Sequence, residues 1–199
     1  MSDTAPQYTY RQSIATKPWT FRIENDQLVW EKQDQEKPIA VHMGNIAKVR
    51  PVFDPTRVQL NRYVLNITTR KGKQIKLASM SYKGISDFED LAPSYAAFVR
   101  ALHEQMARIN PSIQYVRGIS KLGYAMSMLV MVFLIALLGV AGFLLINGVT
   151  HPIVWVKLAL LLYFTPMLYK YLKRNKPGVY DPAHVPEDLI PQGVISQPN

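Results

Sequence analysis

The stretch LGYAMSMLVMVFLIALLGVAGFLLI, residues 122–146, runs for 25 positions without a charged side chain. As an α-helix rising about 1.5 Å per residue, it is longer than the roughly 30 Å hydrocarbon core of a bilayer. Fourteen of its residues are Leu, Ile, Val or Phe, which on an insertion scale sums to about -4 to -8 kcal/mol in favour of lipid. The spacing predicts a membrane-spanning helix over 122–146.

Immediately downstream, INGVTHPIVW (146–155) is a short polar break before a second apolar run, 153–172. That run has ten Leu, Ile, Val or Phe and one early charge, Lys157. At the centre of a span the lysine would cost about 2.5–3.5 kcal/mol, but one turn from the end its ammonium can reach the headgroups. A second spanning helix over 153–172 is therefore expected, with 147–152 as the connecting loop and Pro152 in its first turn, where a missing N–H is harmless. Pro166, after Thr165, predicts a kink. Lys157 has two readings, an interfacial anchor beside Trp155 or a functional charge within the membrane. Gly139 and Gly142 are likewise expected to serve close packing, either within the hairpin or against a partner such as a second copy of the chain.

The loop carries no Lys or Arg, whereas Arg117 and Lys121 precede the first span and Lys170, Lys173, Arg174 and Lys176 close the second. The positive-inside bias predicts cytoplasmic N- and C-termini and an external loop, in the manner of a two-span protein of a bacterial inner membrane. The start, MSDTAPQYTYRQ, has no apolar core, so no cleavable signal is expected. The chain has no cysteine, which excludes disulfides and thiolate chemistry.

Upstream, composition changes sharply: residues 1–121 hold 18 of the 23 Lys and Arg and 11 of the 14 Asp and Glu. Between 18 and 80, β-rich runs alternate with turn chemistry: WTFRI, ENDQ, LVWEK; PIAVHM; IAKVRPVF, DPTR; YVLNITT, RKGK, QIKLASM. Tyr63, Leu65 and Ile67 share one face, as do Ile75 and Leu77, with Gly72 free to take a positive φ in the turn. Val58 and Leu60 have the opposite parity, which predicts a bulge or corner near Asn61 and Arg62. Then Leu91, Tyr95, Phe98, Leu102, Met106 and Ile109 recur at spacings of three and four, one apolar stripe of a helix that starts near Asp87 or at Pro93 and ends before Pro111. His103 falls on its polar side.

Many strands followed by one helix, ending in YVLNITTRKGKQIKLASMSYKGISDFEDLAPSYAAFVRALHEQM, resembles the bacterial pleckstrin-homology-like domains over residues 8–110. The resemblance implies an α+β fold, a curled antiparallel barrel or sandwich with a C-terminal capping helix, generally non-catalytic and used to bind lipid headgroups, peptides or membrane partners. The phosphoinositide pattern of eukaryotic members needs a basic first loop; here that loop, Glu24 to Gln27, is acidic. The expected organisation is an arm (1–17), the domain (18–112), a basic linker (113–121), the spans and loop (122–146, 147–152, 153–172) and a Pro-rich tail (173–199).

The four histidines, His42, His103, His151 and His184, are dispersed, and no catalytic or phosphate-loop motif is present. An enzyme is not expected, nor any cofactor or metal, nor binding of nucleic acid. The candidate surface is basic: Lys48, Arg50, Arg57, Arg62, Arg70, Lys71, Lys73, Lys76 and Lys83 are opposed between 48 and 83 only by Asp54. Such a face is suited to an anionic leaflet or an acidic partner, and equally to a solvated sheet. The tail carries Tyr180, Val185, Leu189 and Ile190 on a proline-stiffened backbone, a segment that is either without fixed structure or docked in a groove. The expected function is a non-catalytic adaptor or scaffold at the cytoplasmic face, binding a protein partner or anionic lipid; the alternative is an accessory subunit of a membrane transporter.

Overall fold

The computed structural model describes residues 7–33, 37–56, 59–85, 87–148 and 151–191. The chain is α+β, with eleven strands and three α-helices among those residues. Contacts divide it into two compact units, one of residues 1–118 and 178–199 and the other Ile119–Pro177.

In the first unit, β1 (Gln7–Tyr10), β2 (Trp19–Glu24), β3 (Gln27–Lys32) and β4 (Ile39–His42) form an antiparallel four-stranded sheet in sequence order. The β2–β3 turn is two residues long because Asn25 and Asp26 both take positive φ, 46° and 61°. That matches the right-handed twist of the flanking strands, and Asn and Asp tolerate it best after glycine. A second sheet has the order β11-β10-β5-β6-β7. Its centre is β5 (Ile46–Phe53) and β6 (Tyr63–Thr69), and β7 (Gln74–Ala78) follows a turn in which Gly72 has φ 81°. A short pair, β8 (Met80–Tyr82) with β9 (Phe88–Asp90), leads into α1 (Ala92–Ile109). β10 (Gln114–Arg117) runs parallel to β5, and β11 (Gly178–Val179) adds antiparallel to β10.

Among the described residues the sheets do not close into a barrel. Side chains bridge the gap instead. The Tyr10 hydroxyl donates to the Lys76 carbonyl at 2.6 Å, and that of Tyr8 donates to the Ala78 carbonyl. Both carbonyls lie on the edge of β7 turned away from β6, because Ser79 N–H bonds Tyr63 and Thr69 N–H bonds Lys73 across the hairpin, and strand carbonyls alternate in direction. The tyrosine rings continue as a column through the core: Phe98 on Tyr8, Tyr10, Phe21 and Trp30, at centroid spacings of 5.8, 5.9, 5.9 and 6.3 Å. Lys73 closes its end, with Nζ 4.7 Å from the Trp30 ring. Tyr8→Phe keeps the ring but strands a buried acceptor, and should cost about 1–3 kcal/mol in denaturant unfolding. Tyr10→Phe should cost less, since its bond is only partly buried and water can replace the hydroxyl.

Several expectations change. Residues 1–17 are not merely an arm, since β1 supplies Tyr8 and Tyr10 to the core. Nor are 113–121 merely a linker, since 114–117 is β10. The corner expected near Asn61 and Arg62 is the connection between β5 and β6, where Leu60 and Asn61 form a turn, and β5 also shifts register at Ala47, between Ile46 and Lys48. Leu60 is an exposed turn residue, and Val58 lies outside the described residues. His103, expected on the polar side of α1, is fully buried, because the helix buries Val99, His103 and Met106 alongside Tyr95, Phe98 and Leu102. The apolar face is wider than one stripe.

The second unit is a helical hairpin, α2 (Lys121–Ile146) and α3 (Pro152–Arg174), and both helices are long and apolar enough to cross a membrane. Ser120 caps α2 by accepting from Gly123 N–H at 3.1 Å. Asn147 closes it by donating to the Phe143 carbonyl at 2.8 Å. Pro152 begins α3 in the expected position, behind His151, which accepts from Ile153 N–H. Pro166 leaves the Leu162 carbonyl without its helical donor. The Thr165 hydroxyl bonds the neighbouring Leu161 carbonyl at 2.7 Å, not that one. Only Met131 and Ala141 of α2 and Val154 and Leu172 of α3 are buried.

Candidate binding surfaces

The basic cluster seen in sequence is divided by the fold. Strand pairing sets Gln114, Lys48, Thr68 and Gln74 in one row across β10, β5, β6 and β7, and Arg50, Asn66 and Lys76 in the next. Val49, Leu65, Ile67, Ile75 and Leu77 of the same strands are buried, so by alternation these rows occupy the opposite, outer face of the sheet. No carboxylate stands in either row. Arg70 and Lys71 continue the basic character into the β6–β7 turn, whereas Lys73 turns to the Trp30 ring at the end of the aromatic column. Arg62 does not join them: it lies beyond the other end of β6 and pairs with Asp54 at 3.5 Å. Lys83 pairs with Glu89 at 3.5 Å. Arg57 lies outside the described residues.

The described part of the tail, from Gly178 to residue 191, is docked on its own domain. Val179 and Gly178 pair with Val116 and Arg117, and Tyr180 N–H bonds the Tyr115 carbonyl at 3.2 Å. Leu189 and Ile190 are buried, at 0% and 2% exposure, whereas Val185 is half-buried. Arg117 forms an ion pair with Asp188. The Tyr180 ring meets His103 and Tyr115, with centroids 5.9 and 5.8 Å away. His103 Nδ1 lies 2.7 Å from the Val99 carbonyl and Nε2 lies 2.7 Å from the Tyr180 hydroxyl. A carbonyl only accepts, so Nδ1 carries the proton, and in the neutral ring Nε2 accepts from Tyr180. Burial pushes the His103 pKa down to about 4, against a smaller opposing effect of the Val99 carbonyl. Burial pushes the Tyr180 hydroxyl up. The pair is a neutral, partly buried latch between α1 and the tail.

In the hairpin, Lys157 lines a hollow of about 360 Å³ between the helices, among Leu137, Val140, Leu144, Leu160 and Leu161. Gly139 and Gly142 face open space, since a side chain at either position would meet nothing within 4 Å. They do not pack against α3.

Sequence reasoning missed the polar residues that complete the sheet face, Asn66, Thr68, Gln74 and Gln114. The only signal for the first three is their place at alternate positions in runs whose other members are apolar. Buried Asn110, which follows α1, was also missed; nothing in its sequence context marks it.

Against known proteins, the chain matches no family model, no curated protein and no solved structure.

Proposed function

We propose that this chain is a non-catalytic, membrane-anchored adaptor. Its sheet domain, read as a pleckstrin-homology-like fold, holds an acidic protein partner at the cytoplasmic face of a bacterial inner membrane, while α2 and α3 anchor it. The observation that carries the reading is the outer sheet face, where Lys48, Arg50 and Lys76 stand among amides and a hydroxyl with no carboxylate in their rows. Interspersed charge of one sign on a flat face favours encounter with an acidic surface and rejects a basic one.

The topology has support besides loop charge. β10 and β11 bring the residues just before and just after the hairpin into one sheet. Two spanning helices whose flanks share one sheet cross the bilayer down and back, with both flanks on the same side. The Lys and Arg at those flanks support assigning that side to the cytoplasm.

A second reading, an accessory subunit of a transporter, is favoured by Lys157 in the hollow between the helices. Affinity purification in mild detergent separates the two. For an adaptor, Arg50→Glu with Lys76→Glu should abolish recovery of the partner, while Lys157→Leu leaves it unchanged. Flux that falls in Lys157→Leu, with partner recovery indifferent to the sheet-face charges, would select the transporter. A second copy of the chain is the partner to look for at Gly139 and Gly142.

A further inference from the structure

One end of the basic face is not flat. The register shift in β5 makes Ala47 an extra residue opposite β6, and such bulges re-aim the neighbouring side chain. Beside it lies a hollow of about 340 Å³ lined by Ala47, Lys48, Thr68, Arg70, Ser112 and Gln114. That volume falls within the roughly 300–1,000 Å³ of small-ligand sites. As donors the lining offers an ammonium, a guanidinium, the Thr68 hydroxyl and the Gln114 amide, and it has no carboxylate; the Ser112 hydroxyl hydrogen is taken by Asn110, so Ser112 acts by positioning Arg70. Among the described residues no carboxylate pairs with Lys48 or Arg70.

Arg70 is exposed, and two hydrogen bonds orient it. Its backbone N–H bonds the Asn45 carbonyl at 2.8 Å, and its Nη2 donates to Ser112 Oγ at 3.1 Å. Ser112 is oriented in turn by Asn110, whose Oδ1 accepts from Ser112 Oγ at 2.6 Å and from Ser112 N–H at 3.1 Å. Asn110, 6% exposed, is itself fixed by donating to the carbonyls of Ile46 at 3.0 Å and Gly44 at 3.2 Å. A buried amide thus sets a serine, and the serine sets a guanidinium. Holding the fork in advance removes part of the ordering cost of binding.

We propose that this hollow binds a phosphate monoester. A dianion with three terminal oxygens in tetrahedral array can use donors converging from β5, β6 and the segment after α1. A carboxylate offers two oxygens in one plane, and a phosphodiester two oxygens and a single charge, so either leaves donors idle. The site is separate from the acidic β2–β3 turn at Glu24–Gln27. Its phosphate belongs either to a soluble ester or to a lipid headgroup. The proposal deepens the reading of the sheet face as a binding surface and rests on it.

The test uses the full chain in a non-ionic detergent. Glycerol 3-phosphate, titrated by phosphorus NMR, probes the soluble source. Phosphatidic acid against phosphatidylglycerol of the same acyl chains, by native mass spectrometry, probes the lipid source. Affinity should fall about tenfold in Arg70→Ala and in Lys48→Ala, and severalfold in Ser112→Ala, with Lys37→Ala, an exposed lysine outside the basic face, unchanged. Should Arg70→Ala fail to fold, Arg70→Lys keeps the charge without the fork and should still lose most of the binding. Glycerol 3-phosphate binding assigns a soluble ester; phosphatidic acid binding alone assigns a headgroup. The proposal is overturned if neither probe binds, if phosphatidylglycerol binds as tightly as phosphatidic acid, or if Lys37→Ala weakens binding as much as Arg70→Ala. A partner recovered without phosphate binding overturns the hollow alone, and phosphate binding without a partner overturns the adaptor alone.

Discussion

Leu189→Ala is expected to destabilise the sheet domain by about 2–5 kcal/mol, the range for emptying a fully buried leucine site. Leu189 is completely buried, although it lies in a proline-punctuated tail on the far side of the hairpin in sequence. Against a typical domain stability of about 5–15 kcal/mol, such a loss brings the domain close to unfolding. Ending the chain after Pro177 should do at least as much, because β11, Ile190 and the Tyr180 hydroxyl leave together. It also leaves buried His103 Nε2 without its donor, adding about 1–3 kcal/mol. Urea unfolding of the full chain in detergent, followed by Trp19 and Trp30 emission, measures both. A tail lying loosely on the surface would give Leu189→Ala an effect below about 0.5 kcal/mol, and that result would refute the docking described above.

Acidification should weaken the domain through His103. Its folded pKa is pushed down to about 4 by burial, whereas an unfolded histidine titrates near 6.5. Above that pH both states are neutral and the group adds no pH dependence. Between about 6.5 and 4 the unfolded chain takes up a proton that the folded one refuses, so stability falls as pH falls. The limiting slope is about 1.4 kcal/mol per pH unit and the total loss at pH 4 is about 3 kcal/mol. His103→Gln removes the titration, and the difference between the two pH profiles isolates it. Parallel profiles for wild type and variant would show that the ring is accessible to water, contrary to its burial.

The parts of the fold legible in the sequence are those whose signal is local. The long apolar run at 122–146 predicted α2 to within a residue of its span, Lys121–Ile146. The ENDQ and RKGK turns predicted the β2–β3 and β6–β7 hairpins because their backbones demand particular residues. The strands that went unread, β1, β8, β9, β10 and β11, have four residues or fewer, too few for periodicity to register. Two of them also depend on distant partners: β10 lies beside β5, and β11 joins only after the hairpin. Tyr8 and Tyr10 carried a faint trace in their alternation. His103 was misplaced because histidine was assigned to water by its polarity, although Val99 and Met106, four residues before and three after, mark the same side of α1. The candidate site was half legible. Basic residues crowd the sequence from 48 to 83, but which of them share a face depends on register, and the hollow adds Ser112 and Gln114 from beyond α1.

The β10–β11 pairing also bears on how the molecule is made. The ribosome reaches Val116 well before Val179, its partner in the ladder. At about 5–20 residues per second, roughly 3–12 seconds separate the two during synthesis. Throughout that interval the β10 edge stands unpaired and the seat of Leu189 stands empty, both exposed to chaperones and to strands of neighbouring nascent chains. The final strand arrives only once the hairpin has been translated, so the sheet of the first unit is completed after the second unit has been made.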